Sequence, residues 1–400
     1  MNQPLSERAL ILIIGAVQFV NILDFMMVMP LGPDFAQALS IPTSHLGIVG
    51  GAYTFAAALV AIIGAFFLDR FDRRKALFWS LLGLTAGTLG GGLAWNFESL
   101  VAARVLAGAF GGPATSVAIA IIIDAVPQER RGRALGAVMG AFSLASIFGV
   151  PAGLELARLG DWRTPFFAVG GLCLVISVLS HARLPAMTAH LAHVRPDSVL
   201  NGFWQLLRRR EALAAYLMVG TTMMASFLIV PNIATYLQFN LGYPREHLGL
   251  LYLVGGILSF FLLRACGAWT DRYGAFRLAC VGTLFYLATL VLFFIAYPPG
   301  LSVVALFAGL MCANSVRAVP MTTVATGIPA DFERASFMSL RSATQHLASS
   351  LGAGLSSLML MTDGHGVLIG MERVAWLAFA LGITLPPLVF YVERRLKMRA

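Results

Sequence analysis

Gly64-Ala-Phe-Phe-Leu-Asp69-Arg70-Phe-Asp72-Arg73-Arg74-Lys75 is a short charged segment between two long apolar runs, and it has a counterpart in Gly267-Ala-Trp-Thr-Asp271-Arg272-Tyr-Gly274. Asp69 and Asp271 stand 202 residues apart. Pro127, followed by Glu129-Arg130, and Pro329, followed by Glu333-Arg334, are separated by the same 202 residues. One offset shared by two separate loops points to a duplicated chain.

The runs around these loops set the class. Of 400 residues, 58% are hydrophobic and 12% charged, where a soluble domain carries about 25%. So little polar surface cannot wet a globule of this length, so the spare apolar surface must face lipid. Apolar stretches of about 20 residues, the length that crosses a bilayer, occur at 9–32, 45–67, 76–94, 100–123, 134–155, 165–184, 212–238, 247–268, 276–297, 301–324, 335–360 and 373–392. They are too long and too apolar for barrel strands, and only helices or closed barrels satisfy their backbone in lipid. The expected fold is therefore all-α and polytopic: twelve transmembrane helices in two pseudo-symmetric six-helix bundles. The bundles fall at 1–184 and 212–400, joined by a cytoplasmic linker at 185–211 that holds Pro185, Pro196 and Arg208-Arg209-Arg210. The 40 glycines suit helices that pack closely in lipid.

Charge sets the orientation. With the N-terminus inside, twenty of the 28 lysines and arginines fall in cytoplasmic segments and four in outside loops. The positive-inside rule then puts both termini in the cytoplasm of a cell whose inner membrane holds the protein. The net charge of +9 reflects this topology, and no nucleic-acid partner is expected. Cys173, Cys266, Cys280 and Cys312 all lie in expected spans without a CxxC pair, which argues against disulfides and a metal site. The first apolar run carries Asp24 and lacks a small-residue cleavage site, so it reads as a retained helix.

These features together resemble the major facilitator superfamily, over the whole chain. Asp69-Arg70-Phe71-Asp72-Arg73-Arg74-Lys75 matches the family's Gly-x-x-x-Asp-Arg-x-Gly-Arg-Arg/Lys loop, with Asp72 where Gly is usual. Arg104-Val-Leu-Ala-Gly108 matches its Arg-x-x-x-Gly motif. Gly149-Val-Pro151-Ala-Gly153 resembles, more loosely, the antiporter motif of twelve-helix drug–proton antiporters in bacterial sugar- and drug-efflux members. The resemblance implies a secondary transporter working as a monomer by alternating access, with a small-molecule substrate, protons and the lipid bilayer as partners and no cofactor. It also places an arginine in the position of Arg104 near an acid of the first helix, here Asp24.

The residues support specific roles. Asp24 lies mid-span, where a carboxylate is costly unless paired or wet; it is suited to bind and release a proton, or else forms a structural pair with Arg104. Gln18 and Asn21 precede it at three-residue steps, on one helix face. Arg317, with Asn314, is a second cation inside a span, next to Pro320; it could pair with Asp24 or bind an anionic group. Tyr53, Asn232, Tyr236, Gln345 and His346 complete the candidate substrate contacts, although a lone His in a bundle is more often simply packed. Pro231 before Asn232 would kink the seventh helix, giving either a broken cavity helix or a simple bend. Asp69, Arg70, Arg73 and Arg74 are expected to act in gating, or to hold topology alone. Gly149, Pro151 and Gly153 would bend the fifth helix.

The expected function is proton-coupled efflux of a hydrophobic or amphipathic compound, with symport or uniport of an organic anion or nutrient as the alternative. An enzyme or sensor is disfavoured, because the chain lacks HExxH, GxSxG and a Walker A pattern.

Overall fold

The computed structural model describes residues 6–64, 70–188, 206–298, 300–329 and 334–398. Among them, each of the twelve apolar stretches folds as helix: α1 (Glu7–Val28), α2 (Thr43–Gly64), α3 (Arg73–Gly92), α4 (Phe97–Ala125), α5 (Glu129–Leu159), α6 (Thr164–Arg183), α7 (Arg210–Asn240), α8 (Arg245–Tyr273), α9 (Ala275–Ile295), α10 (Val303–Thr326), α11 (Arg334–Met359) and α12 (Met371–Lys397). Ten are both long and apolar enough to cross a membrane. The other two, α3 and α11, match them in length but are rich in Gly, Ser and Thr.

Local chemistry starts and stops these helices. Ser6 accepts from Ala9 N and caps α1; Asn96 and Ser99 form a reciprocal capping box on α4; Ser302 caps α10. Gly274, at φ 88°, ends α8 in the left-handed region and lets α9 start at once. Between α11 and α12 the chain forms a two-stranded antiparallel hairpin, β1 (Met361–Thr362) with β2 (Leu368–Ile369). This stretch lies between the apolar runs at 335–360 and 373–392, and such short strands carry too little periodicity to be seen in sequence.

The chain divides into two compact units, one over Met1–Ile41 and Ala52–Pro196, the other over Pro42–Gly51 and Asp197–Ala400. In the first, α3 packs against α4 and α6, and α1 against α4, α5 and α6. In the second, α7 packs on α11 and α12, and α10 on α8 and α9. Glycines make these contacts close. A Cβ on Gly87 would strike the backbone of Ala107, and one on Gly282 would sit 2.8 Å from Val316 Cγ1. Packing of small residues is what associates helices in lipid. Large apolar side chains such as Trp79, Phe148, Phe261 and Leu358 are exposed instead, as a hydrocarbon environment permits.

One ten-residue segment is assigned apart from its neighbours: Pro42–Gly51, which includes the first part of α2, packs with the second unit. Thr43 and Thr362 hydroxyls lie 3.1 Å apart, Ser44 N donates to Thr362 Oγ1 at 2.9 Å, and Thr43 Oγ1 donates to Gly366 O at 3.2 Å. A Cβ on Gly47 would meet Ala353 O and come within 2.9 Å of Ser356 Oγ.

Candidate functional site

Asp24, in the last turns of α1, is buried to 1% exposure, as is Arg104 of α4. The guanidinium grips the carboxylate with two parallel bonds: Nη2 to Oδ2 at 2.8 Å and Nη1 to Oδ1 at 3.1 Å. Thr88 Oγ1 of α3 donates to Oδ1 at 2.7 Å. Fork-to-fork pairing of this kind is among the strongest polar contacts available, and it neutralises two charges that would each be costly alone. Sequence reading missed Thr88, because a threonine in an apolar helix carries no signal of its own.

Tyr53 of α2 covers the pair. Arg104 Cζ lies 5.0 Å from the ring centroid, and Phe25 packs on the same ring at 5.1 Å. The Tyr53 hydroxyl donates to Asn21 Oδ1 at 3.0 Å, and Asn21 Nδ2 donates to Thr115 Oγ1 at 2.6 Å and Gly111 O at 2.8 Å. Gln18 is buried one turn earlier, and its Oε1 has no partner among the described residues. The polar face of α1 therefore faces protein. The Arg-x-x-x-Gly spacing has a steric reason: a Cβ on Gly108 would strike the backbone of Tyr53. One turn separates arginine and glycine, so Arg104 meets Asp24 where Gly108 lets α2 approach.

The sequence profile of the Major Facilitator Superfamily matches residues 14–353, with a second match over 216–397. The chain belongs to the major facilitator superfamily. Among relatives of this superfamily transporter, an "Uncharacterized MFS-type transporter YwfA" of Bacillus subtilis (strain 168) is 26% identical over 370 residues, covering 90% of this chain and 87% of the relative. A "Probable sugar efflux transporter" of Helicobacter pylori (strain G27) is 24% identical over 62% of this chain and 63% of its own. In structure, a bacterial homolog of the human lysosomal transporter Spinster, inward-facing and occupied, aligns over 98% of both chains at TM-score 0.73 and 16% identity. A D-xylose-proton symporter aligns at TM-score 0.76 and 14% identity, over 95% of this chain and 96% of its own. These two share the fold.

Within this transporter fold, the bend expected of Gly149, Pro151 and Gly153 takes a definite form. Ala145–Gly149 of α5 is a π-turn. Pro151 has no N–H to offer residue 147, and its ring crowds that carbonyl, so the wider turn absorbs the mismatch. A Cβ on Gly149 would lie 2.6 Å from Leu23 Cδ1, and one on Gly153 3.7 Å from Met27 Cβ. The glycine face of α5 thus lies along α1 on both sides of Asp24.

The loop motif is described from Arg70 onward; Asp69 lies outside the described residues. Arg70 is exposed. Arg73 is buried, and its Nε donates to Asp124 Oδ2 at 3.2 Å. Asp72, the departure from glycine, caps α3: its Oδ1 accepts from Arg74 N and Met187 N, both at 3.0 Å. Arg73 N donates to Met187 O at 3.2 Å, which ties the chain beyond α6 to the start of α3.

The remaining candidates are in the second unit. α7 is broken at Val230–Asn232, a single 3₁₀ turn over Pro231, and carries a π-turn at Tyr236–Asn240. Asn232 Nδ2 donates to Ser356 Oγ at 3.0 Å, while its buried Oδ1 has no partner among the described residues. Tyr236 donates to Phe293 O at 3.1 Å. Asn314 accepts from Ser226 Oγ at 2.9 Å. Gln345 and His346 are half-buried on α11, and no side-chain hydrogen bond of His346 is formed among the described residues. Arg317 is fully buried, with its guanidinium 4.0 Å above the Tyr286 ring. Asp24 takes its hydrogen bonds from Arg104 and Thr88.

Proposed function

We propose that this protein is a proton-coupled exporter of a hydrophobic or amphipathic small molecule, held in a cell inner membrane with both termini cytoplasmic. It works by alternating access of two six-helix halves, 1–184 and 212–400. The observation that carries this reading is the buried Asp24–Arg104–Thr88 cluster. Asp24 is the proton carrier: its carboxylate is the sole acid among the described residues of the first unit held wholly inside the helices beside a fixed cation. In the charged state Arg104 and Thr88 hold it. Protonation removes the ion pair, releases the guanidinium toward Tyr53, and loosens α1 from α3 and α4. Such a pair is a two-state element, since α1, α3 and α4 meet at it, and proton loading becomes a change in helix packing.

Asn21, Gln18 and Tyr53 supply the polar contacts for cargo in the first half, and Asn232, Tyr236, Asn314, Gln345 and His346 those in the second. The contact of Thr43 and Gly47 with β1 and α11 is the outer gate, and Arg73–Asp124 with Asp72–Met187 steadies the inner loop. Export as the direction is supported by the Helicobacter pylori relative named as a sugar efflux transporter.

Proteoliposomes containing an internal pH dye test this reading. Addition of a transported amphipath should move protons in wild type and not in Asp24→Asn. Transport indifferent to both pH and Asp24 would reduce the cluster to a structural tether.

A further inference from the structure

Arg317 is the fifteenth of 24 residues in α10 and is completely buried. Its Nε, Nη1 and Nη2 have no hydrogen-bond partner among the described residues. Arg104, equally buried, has a carboxylate on its fork; among the described residues, Arg317 has the face of Tyr286, at 4.0 Å. An arginine keeps its charge at any accessible pH, and attraction to a ring offsets only a fraction of the cost of burying an unpaired ion. Among the described residues of this unit, no acid is buried. α9, α10 and α11 contain no acid, and Glu211, Glu246, Asp271, Glu372 and Glu393 all lie within five residues of a helix end.

The surroundings are built around this charge. Gly282 of α9 lets the backbone of Arg317 approach, with a Cβ there lying 3.2 Å from its N. Tyr286, one turn on, is held by its own hydroxyl, which donates to Ala225 O of α7 at 3.1 Å. Thr283 on α9 and Thr222 on α7, within a turn of these contacts, carry buried hydroxyls with no partner among the described residues. The guanidinium is a planar fork of donors with no partner among the described residues, the geometry that pairs with a flat oxyanion.

We propose that Arg317 binds the carboxylate of an organic monoanion, so that the cargo is an amphipathic acid. The stack on Tyr286 is the resting place of the guanidinium when no anion is bound. One guanidinium carries one charge, which favours a carboxylate over a dianionic phosphate. This rests on the transporter reading above and narrows its cargo.

The test uses purified full-length protein in neutral detergent and three probes of one size: 2-naphthoate, 2-naphthamide and 2-naphthylmethylammonium, with gluconate as a polar carboxylate. Binding is read by titration calorimetry, and stability by thermal unfolding. Naphthoate should bind and raise the unfolding temperature, while the amide and the ammonium should not. Arg317→Gln should weaken naphthoate at least about tenfold, and Arg317→Lys should recover part of the loss. Without probe, Arg317→Gln should unfold no lower than wild type, because a buried unpaired charge has gone. Equal binding of the amide, failure of both carboxylates to bind, or naphthoate binding intact in Arg317→Gln would overturn the proposal. Gluconate bound through Arg317 without naphthoate would uphold the anion site and overturn the amphipathic cargo. Carboxylate binding with no Asp24-dependent proton movement in liposomes would uphold the site and overturn the coupling.

Discussion

Arg104 holds both carboxylate oxygens of Asp24, at 2.8 and 3.1 Å, across two helices and away from any solvent. Breaking a buried pair from one side leaves a bare charge, at about 3–5 kcal/mol. Asp24→Asn and Arg104→Gln should each lower stability by that order in detergent unfolding. The double variant should lose clearly less than the two losses added, since neither charge is then left alone. Additive losses would mean the two residues act independently.

Gly108 and Tyr53 give a second prediction. A methyl group at residue 108 has no room against the backbone of Tyr53. Gly108→Ala should cost about 1–3 kcal/mol, the usual penalty for overpacking, and should reduce transport by shifting Tyr53 off the ion pair. Gly15→Ala, with open space around its Cβ, is the control and should leave the unfolding temperature in place.

Thr43 and Thr362 place two hydroxyls 3.1 Å apart. In a cysteine-free background, Thr43→Cys with Thr362→Cys should form a disulfide on mild oxidation. In the cycle proposed above this contact opens, so transport should stop on oxidation and return on reduction. Full transport by the oxidised protein would show that the start of α2 stays on β1 throughout the cycle.

Asp72 offers a fourth. Asp72→Ala removes a helix cap worth about 1 kcal/mol, together with the bond from Met187 N. Amide exchange at Arg74 and Met187 should speed up, while the Asp24–Arg104 chemistry should be untouched. Unchanged exchange at Met187 would show that the Arg73 N to Met187 O bond suffices to hold that segment.

The twelve helices were legible because a run of some 20 apolar residues has few other uses, and small breaks such as Pro231 and Pro151 carry their own mark. The precise forms of those breaks were not: whether proline yields a 3₁₀ turn, as at Val230–Asn232, or a π-turn, as at Ala145–Gly149, depends on neighbours such as Leu23 that lie far off in sequence. Asp24 and Arg104 stood out because ionisable residues are rare inside apolar runs. Thr88 and Thr43 did not, since a hydroxyl gains meaning only from what faces it. Asp72 was readable as a departure from a motif, and its position directly before α3 is the cap signal that explains it. The orphaned state of Arg317 depends on which residues surround it, and no local pattern carries that.

The central claim is that Asp24 carries the proton. Its most direct measurement is substrate-driven proton flux in proteoliposomes, wild type against Asp24→Asn, with substrate binding measured on the same preparations. The account predicts that Asp24→Asn still binds cargo but moves no protons and builds no gradient-driven accumulation. Proton movement at the wild-type rate in Asp24→Asn would contradict it.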